Sequence, residues 1–271
     1  MKSSDTVLEL IDVNKTFGNN FEVIKNANLK VNKGEFTCFI GPSGCGKTVL
    51  LYTIAGFLPI TSGSILKKGK PVNSIGTDRI MVFQDNMLFP WKSVMGNILF
   101  ALSNFNIEHK QKLLMAENYL ETVGLLEFKD WPIHKLSGGM KQRVSFARAL
   151  VTSPEILLMD EPFSALDSIA RKHVRKALVE IWEETKQTIL FVTHSVIEAV
   201  YLGDTVHVMG ARPTSVKKTY SIDLPRPREI ADPKCSLLVR QIEKDIEKEF
   251  AKNQSNKFSD IDMENILINN I

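Results

Sequence analysis

The chain has 271 residues, 44% of them hydrophobic, with 34 Lys and Arg against 31 Asp and Glu and a formal net charge of +3. That length can bury a sizeable core in one large domain or two joined lobes, and such evenly scattered charge gives no basic footprint for nucleic acid. Cys38, Cys45 and Cys235 show neither C-x-x-C spacing nor a secreted disulfide framework, which argues for a reducing compartment and against zinc.

No apolar signal core precedes the first strand pattern. The longest apolar stretch, Val49 to Ile60, falls far short of the roughly 20 residues a membrane helix needs. Val7 to Val13 alternates, Asn14 to Asn20 supplies turn residues and Phe21 to Val31 alternates again, which predicts antiparallel β-structure. Phe17 falls in that turn, where its ring could stack on a nucleotide base or close over the core.

Phe36 to Ile40 reads as a buried strand and Val49 to Phe57 as a helix. Between them Gly41-Pro42-Ser43-Gly44-Cys45-Gly46-Lys47-Thr48 satisfies G-x-x-x-x-G-K-[ST], the phosphate-loop pattern in its required strand–loop–helix setting. Its glycines let backbone N–H groups turn toward phosphate oxygens, Lys47 would reach the β- and γ-phosphates, and the Thr48 hydroxyl would ligate Mg²⁺. Cys45, at a helix N-terminus, is expected to be a thiolate-prone, alkylation-sensitive residue or a small buried filler.

Arg79 to Phe83 is a further strand, ending at Gln84. Met87-Leu88-Phe89-Pro90-Trp91 is an apolar, aromatic loop, and Ser93 to Ser103, Lys110 to Val123 and Leu125 to Asp130 read as helices. Leu136-Ser137-Gly138-Gly139-Met140-Lys141-Gln142 opens a helix to Val151, with a hydroxyl and free amides suited to an anion.

Ile156 to Asp160 is continuously apolar, as expected of a strand buried on both faces, and ends in the carboxylates Asp160 and Glu161. Adjacent carboxylates there are costly without a cation or substrate. Asp160 would hold Mg²⁺ and Glu161 polarise an attacking water. Ser164 to Asp167 is a polar loop, Ser168 to Lys186 an amphipathic helix, and Thr188 to Thr193 a buried strand ending at His194. A ligand-facing His belongs at such a strand end. Residues 220–230 read as an extended linker, followed by a helix capped by Asp232 with Pro233 in its first turn.

Together these motifs resemble the nucleotide-binding subunit of ABC transporters, over nearly the whole chain to about residue 250. The resemblance implies an α/β fold: a P-loop NTPase (RecA-like) core with an N-terminal antiparallel β subdomain and an α-helical insertion subdomain. The core would take residues 1–84 and 150–220, the helical subdomain 85–149, the linker and C-terminal helix 221–250, and a flexible tail 251–271.

It implies ATP and Mg²⁺ as ligands, with Gly41 to Thr48 as Walker A and Phe17 as the adenine-stacking aromatic. Ile156 to Asp160 matches Walker B, Glu161 the catalytic glutamate, His194 the switch histidine, and Ser164 to Asp167 the D-loop. Gln84, the Q-loop glutamine, would serve catalysis and Mg²⁺. Ser137, Gly138 and Gly139 of the signature would serve the nucleotide of a second copy, so a homodimer is implied.

Met140 stands where the signature more often has Gln, and Phe17 where Tyr is usual; neither change removes a phosphate ligand. The Pro90-Trp91 pair, Asn97 and the run His207 to Pro213 look like importers of nitrate, alkanesulfonates, taurine and related solutes. Implied partners are two membrane permease subunits and, indirectly, an external solute-binding protein, at the cytoplasmic face of the membrane. The alternative is a soluble cassette acting on nucleic acid or ribosomes; it lacks the second cassette, coiled coil or zinc insertion such proteins usually carry.

Overall fold

The computed structural model describes residues 5–18 and 20–253. The expected tail falls almost wholly outside these, except that residues 251–253 continue the last helix. Two compact units divide the chain, Met1–Gly76 with Gln187–Ile271, and Thr77–Lys186. These boundaries differ from the expected subdomain limits at 84/85 and 149/150.

The first unit opens with β1 (Thr6–Phe17) and β2 (Phe21–Asn32), joined with β4 (Ser62–Lys67) and β5 (Lys70–Pro71) in an antiparallel sheet of order β2-β1-β4-β5. The turn expected from Asn14 does not begin there, because β1 continues to Phe17 through register shifts between Leu10 and Thr16. Asp12 and Asn26 adopt φ of 47° and 48° there. Asn14 uses its amide within the bulge rather than in a turn, donating to the Asp12 carbonyl at 2.7 Å and accepting from Asn26 N–H at 2.9 Å.

In the same unit β3 (Phe36–Ile40) lies parallel to β8 (Thr188–Thr193) and to β9 (Thr205–Met209). Every residue of β3 and β8 is buried, as continuous apolar runs require of parallel strands covered on both faces. An unanticipated strand, β10 (Val216–Ser221), adds antiparallel to β9 and absorbs the first residues of the expected linker. Helix α1 (Lys47–Ala55) follows β3 and packs on β8, and α6 (Val196–Leu202) packs on β3. The C-terminal α7 (Pro233–Asn253) lies on α6 and β9.

The rest of the linker is fastened by two arginines. Arg226 pairs with Asp204 at 2.6 Å and donates to the Leu202 carbonyl. Arg228, buried, donates to the carbonyls of Leu224, Ile222, Val200 and Gly203. Burial pulls its pKa down to about 10, still charged at neutral pH.

The second unit pairs β6 (Arg79–Val82) parallel to β7 (Ile156–Asp160) and carries α2 (Val94–Ala101), α3 (His109–Thr122), α4 (Gly138–Leu150) and α5 (Ser168–Thr185). The helix expected from Leu125 to Asp130 is a single 3₁₀ turn, Leu126–Phe128. Ser93, Ser137 and Asp167 start α2, α4 and α5 by accepting hydrogen bonds from first-turn amides, at 3.1, 3.3 and 2.9–3.0 Å respectively.

Candidate functional site

In the first unit, buried β3 delivers the chain into Gly41 and α1 leaves at Lys47. Gly44 and Gly46 take φ of 69° and 112°, the left-handed region open to glycine. A Cβ on Gly46 would meet Val23 Cγ1 at 2.8 Å and Thr214 Cγ2 at 3.3 Å, and one on Gly41 would meet the Met209 carbonyl at 2.8 Å. Residues from β2, the end of β9 and the following turn therefore wall the back of the loop. Thr214 is fixed there by backbone bonds to Val23 and Lys25 and by its hydroxyl on the Gly210 carbonyl at 3.1 Å.

Lys47 is buried, and its ammonium donates to the Gly41 and Pro42 carbonyls at 2.9 Å each. Ser43 is exposed and Thr48 half-buried. A glycine-lined loop that only backbone can line, with a buried cation and a helix N-terminus, fits a polyphosphate.

The thiolate expected at Cys45 is corrected. The side chain is fully buried, and desolvation raises its pKa more than Lys47 lowers it. The helix N-terminus cannot offset the loss of water around sulfur. Cys45 is a small filler behind the loop.

Phe17 ends β1 opposite Phe21 and is buried, with the Lys15 ammonium 4.5 Å from its ring centroid. Lys15, missed in the sequence, also donates to the Pro59 carbonyl at 2.7 Å. His194 follows β8 and is exposed. Its turn is framed by Thr193, whose hydroxyl donates to Glu198 at 2.5 Å and accepts from Ser195 N–H at 3.0 Å.

The other expected residues belong to the second unit. Asp160 ends β7 and is buried; Glu161, half-buried, adopts φ 42°, with its carbonyl accepting from Ser164 N–H and Oγ at 3.1 and 2.9 Å. A left-handed glutamate costs about 1–3 kcal/mol, and such strain gathers at functional sites. Ser137 and Gly138 are exposed at the start of α4, while Gly139 is buried with room for a Cβ only at 3.4 Å from Val174 of α5. The Asp167 carboxylate is committed to capping α5, and the amides of Ala170 and Ile169 hold its pKa below the usual range.

Gln84 is exposed two residues beyond β6, at the head of the aromatic loop. Phe89 contacts Trp91 and Phe100 with centroids 5.3 and 4.5 Å apart, while Met87 and Trp91 are 58% and 76% exposed. Buried Asn97 fixes the loop, accepting from Phe89 N–H at 2.8 Å and donating to the Phe89 and Ser93 carbonyls.

The buried-strand, phosphate-loop and helix sequence with its central lysine defines a P-loop nucleotide-binding protein. Residues 24–164 match the ABC transporter family, and the chain belongs to that family, as an ATP-binding subunit with ATPase activity. It is 45% identical over 229 residues to an uncharacterized ABC transporter ATP-binding protein of Methanocaldococcus jannaschii, covering 84% of this chain and 86% of that one. Similarity extends to the nitrate import ATP-binding protein NrtD of Synechocystis, 43% identical over 82% of this chain and 85% of the relative. The taurine import ATP-binding protein TauB of Rhizobium johnstonii is 42% identical over 78% of this chain and 80% of its own. Among solved structures, CbiO1 from Clostridium perfringens, part of the ABC transporter complex CbiONQ, superposes with a TM-score of 0.76 at 28% identity, covering 90% of this chain and 97% of that one. The fold is that of the P-loop NTPase cassettes.

Proposed function

We propose that this chain is the ATP-hydrolysing subunit of an importer for a small anionic or zwitterionic solute such as nitrate, a sulfonate or taurine. It works as a homodimer on two permease subunits at the cytoplasmic face of the membrane. No helix among the described residues is long and apolar enough to cross a membrane, so the chain would reach it through those partners. The observation that carries the permease reading is the loop after Gln84: its backbone is fastened by Asn97 while Met87 and Trp91 face solvent. A rigid backbone presenting large apolar side chains is the form of a docking knob.

For catalysis, Gly41 to Thr48 hold the phosphates, and Lys47 offsets charge developing on them. Phe17 flanks the base, and Ser137 and Gly139, with Gly138 and Asp167, serve the nucleotide shared with the second copy. Mg²⁺, when held by Thr48, Asp160 and Gln84, supplies charge neutralisation. Glu161 accepts a proton from the attacking water, and His194 orients toward the γ-phosphate.

Trp91→Ala tests this reading. Permease subunits should co-purify with the parent chain and be lost from the variant, while ATP binding is retained. Unchanged co-purification, or retention of the chain on RNA or ribosomes instead, would overturn it. Growth of a deletion strain on nitrate, taurine and alkanesulfonates as sole nitrogen or sulfur source then identifies the solute.

A further inference from the structure

The second unit contains a link that the proposed roles leave unused. Arg148 lies in the last turn of α4, the helix that Ser137 starts. Its guanidinium donates to the Met87 carbonyl at 2.6 Å and the Asn86 carbonyl at 3.0 Å, and stacks over Phe89 with 5.9 Å to the ring centroid. Met87 is held at φ 46°, a left-handed backbone that a long unbranched residue seldom adopts. Asn97 secures the next turn from α2 by both N–H and carbonyl of Phe89.

The loop is therefore gripped at two points with different origins. Asn97 provides a local anchor on the adjoining helix. Arg148 ties the strained part of the loop to the far end of the helix that carries the signature. One planar guanidinium satisfying two successive carbonyls fixes their orientation as well as their distance, which a lysine ammonium cannot do. A displacement of α4 along or about its axis is thereby imposed on Asn86, Met87 and, through stacking, Phe89, while the exposed Trp91 is carried with them.

The geometry points to Arg148 as a positioning residue that transmits movement of the signature helix to the Met87–Trp91 docking loop. This rests on the proposal that nucleotide engages Ser137 and that the loop meets a permease, and adds the rod between those two contacts. It predicts a nucleotide response in the loop even without permease. Among the described residues, the hydrogen bonds and ring contact of the Arg148 guanidinium go to Met87, Asn86 and Phe89, so its replacement is expected to leave ATP capture in place.

The test uses the full chain with Glu161→Gln, which retains bound ATP, and follows hydrogen exchange with and without Mg·ATP. Protection of amides 41–48 reports nucleotide capture, and exchange across 86–92 reports the loop. In the Arg148-containing chain ATP should change exchange across 86–92. With Arg148→Gln added, whose amide can still reach one carbonyl, loop exchange without nucleotide should rise at least about tenfold, as expected from losing one charge-assisted bond. The ATP-induced change should disappear, with protection at 41–48 intact.

Arg148→Lys, which keeps charge but can hold one carbonyl at a time, should give an intermediate response with an unchanged unfolding midpoint, keeping the test valid if the Gln variant is unstable. An ATP response in 86–92 that survives Arg148→Gln, or none in the parent, overturns the proposal. Loss of protection at 41–48 in the parent overturns the nucleotide-site reading instead, which separates the two failures.

Discussion

The Thr193 hydroxyl donates at 2.5 Å to the carboxylate of Glu198, and both side chains are buried. That bond, with the Ser195 amide on the same hydroxyl, shapes the turn that exposes His194. Thr193→Val keeps the volume but removes the hydroxyl's buried bond to the Glu198 carboxylate, costing about 1–3 kcal/mol. Denaturant unfolding should show that loss, and steady-state hydrolysis should fall while ATP affinity holds. An unchanged kcat would remove Thr193 from the positioning of His194.

The back wall of the phosphate loop makes Gly46→Ala a severe change. The methyl must enter a space where Val23 Cγ1 stands 2.8 Å away, on a backbone at φ 112°. Strain of about 1–3 kcal/mol should appear as a lowered melting temperature. Binding of a fluorescent ATP analogue should be lost, whereas Gly69→Ala, at a positive-φ turn with nothing within 4 Å of the added carbon, should leave binding intact.

Cys45 should resist alkylation. With the thiol buried and its pKa raised, iodoacetamide at pH 8 should modify it only after unfolding, and ATP should matter only by slowing that unfolding. Mass-spectrometric labelling over time, with and without ATP, distinguishes this from an activated thiolate, which would react within minutes and be shielded directly.

Glu161→Gln should lower hydrolysis by about 10²–10⁴-fold, the range for loss of a general base, and should accumulate an ATP-bound dimer. Size-exclusion chromatography with ATP reads the dimer. Turnover equal to the parent would show that Glu161 is not the base.

His207 links acid stability to the core. It is buried on β9, stacked on Phe39 with centroids 5.3 Å apart, and its Nδ1 lies 2.9 Å from Thr219 Oγ1. Desolvation depresses its pKa to about 4 from 6.5, so the unfolded chain takes up the proton first as pH falls. The stabilisation is complete above pH 6.5, declines as pH falls toward 4, and amounts to about 3 kcal/mol across that window. His207→Phe should flatten the pH dependence of the unfolding midpoint between 6.5 and 4; an unaltered slope would place the titration elsewhere.

The sequence reveals what repeats a chemical logic. G-x-x-x-x-G-K-T between a buried strand and a helix, and two carboxylates ending an apolar run, each carry their own reason. Backbone-directed side chains carry none. Arg148, Asn97, Thr214 and Arg228 act on main-chain carbonyls and amides, whose positions depend on the completed fold. β10 escaped notice because Lys217, Lys218 and Thr219 follow one another without apolar alternation, although pairing to β9 and an ion pair from Lys218 to Asp245 at 2.7 Å organise them. Asn14 misled in the opposite direction, its turn preference being spent inside a bulge.

The Arg226–Arg228 strap changes where this cassette can be said to end. Sheet pairing stops at Ser221, which invites trimming there. Yet the Val200, Leu202 and Gly203 carbonyls at the close of α6 receive their side-chain donors from residues 226 and 228, and the opening of α6 is the turn that presents His194. A chain shortened at 221 would lose the arginine donors that hold the close of α6. The strap beyond the last paired strand therefore belongs to the folded body of the cassette, because it satisfies carbonyls at the close of α6.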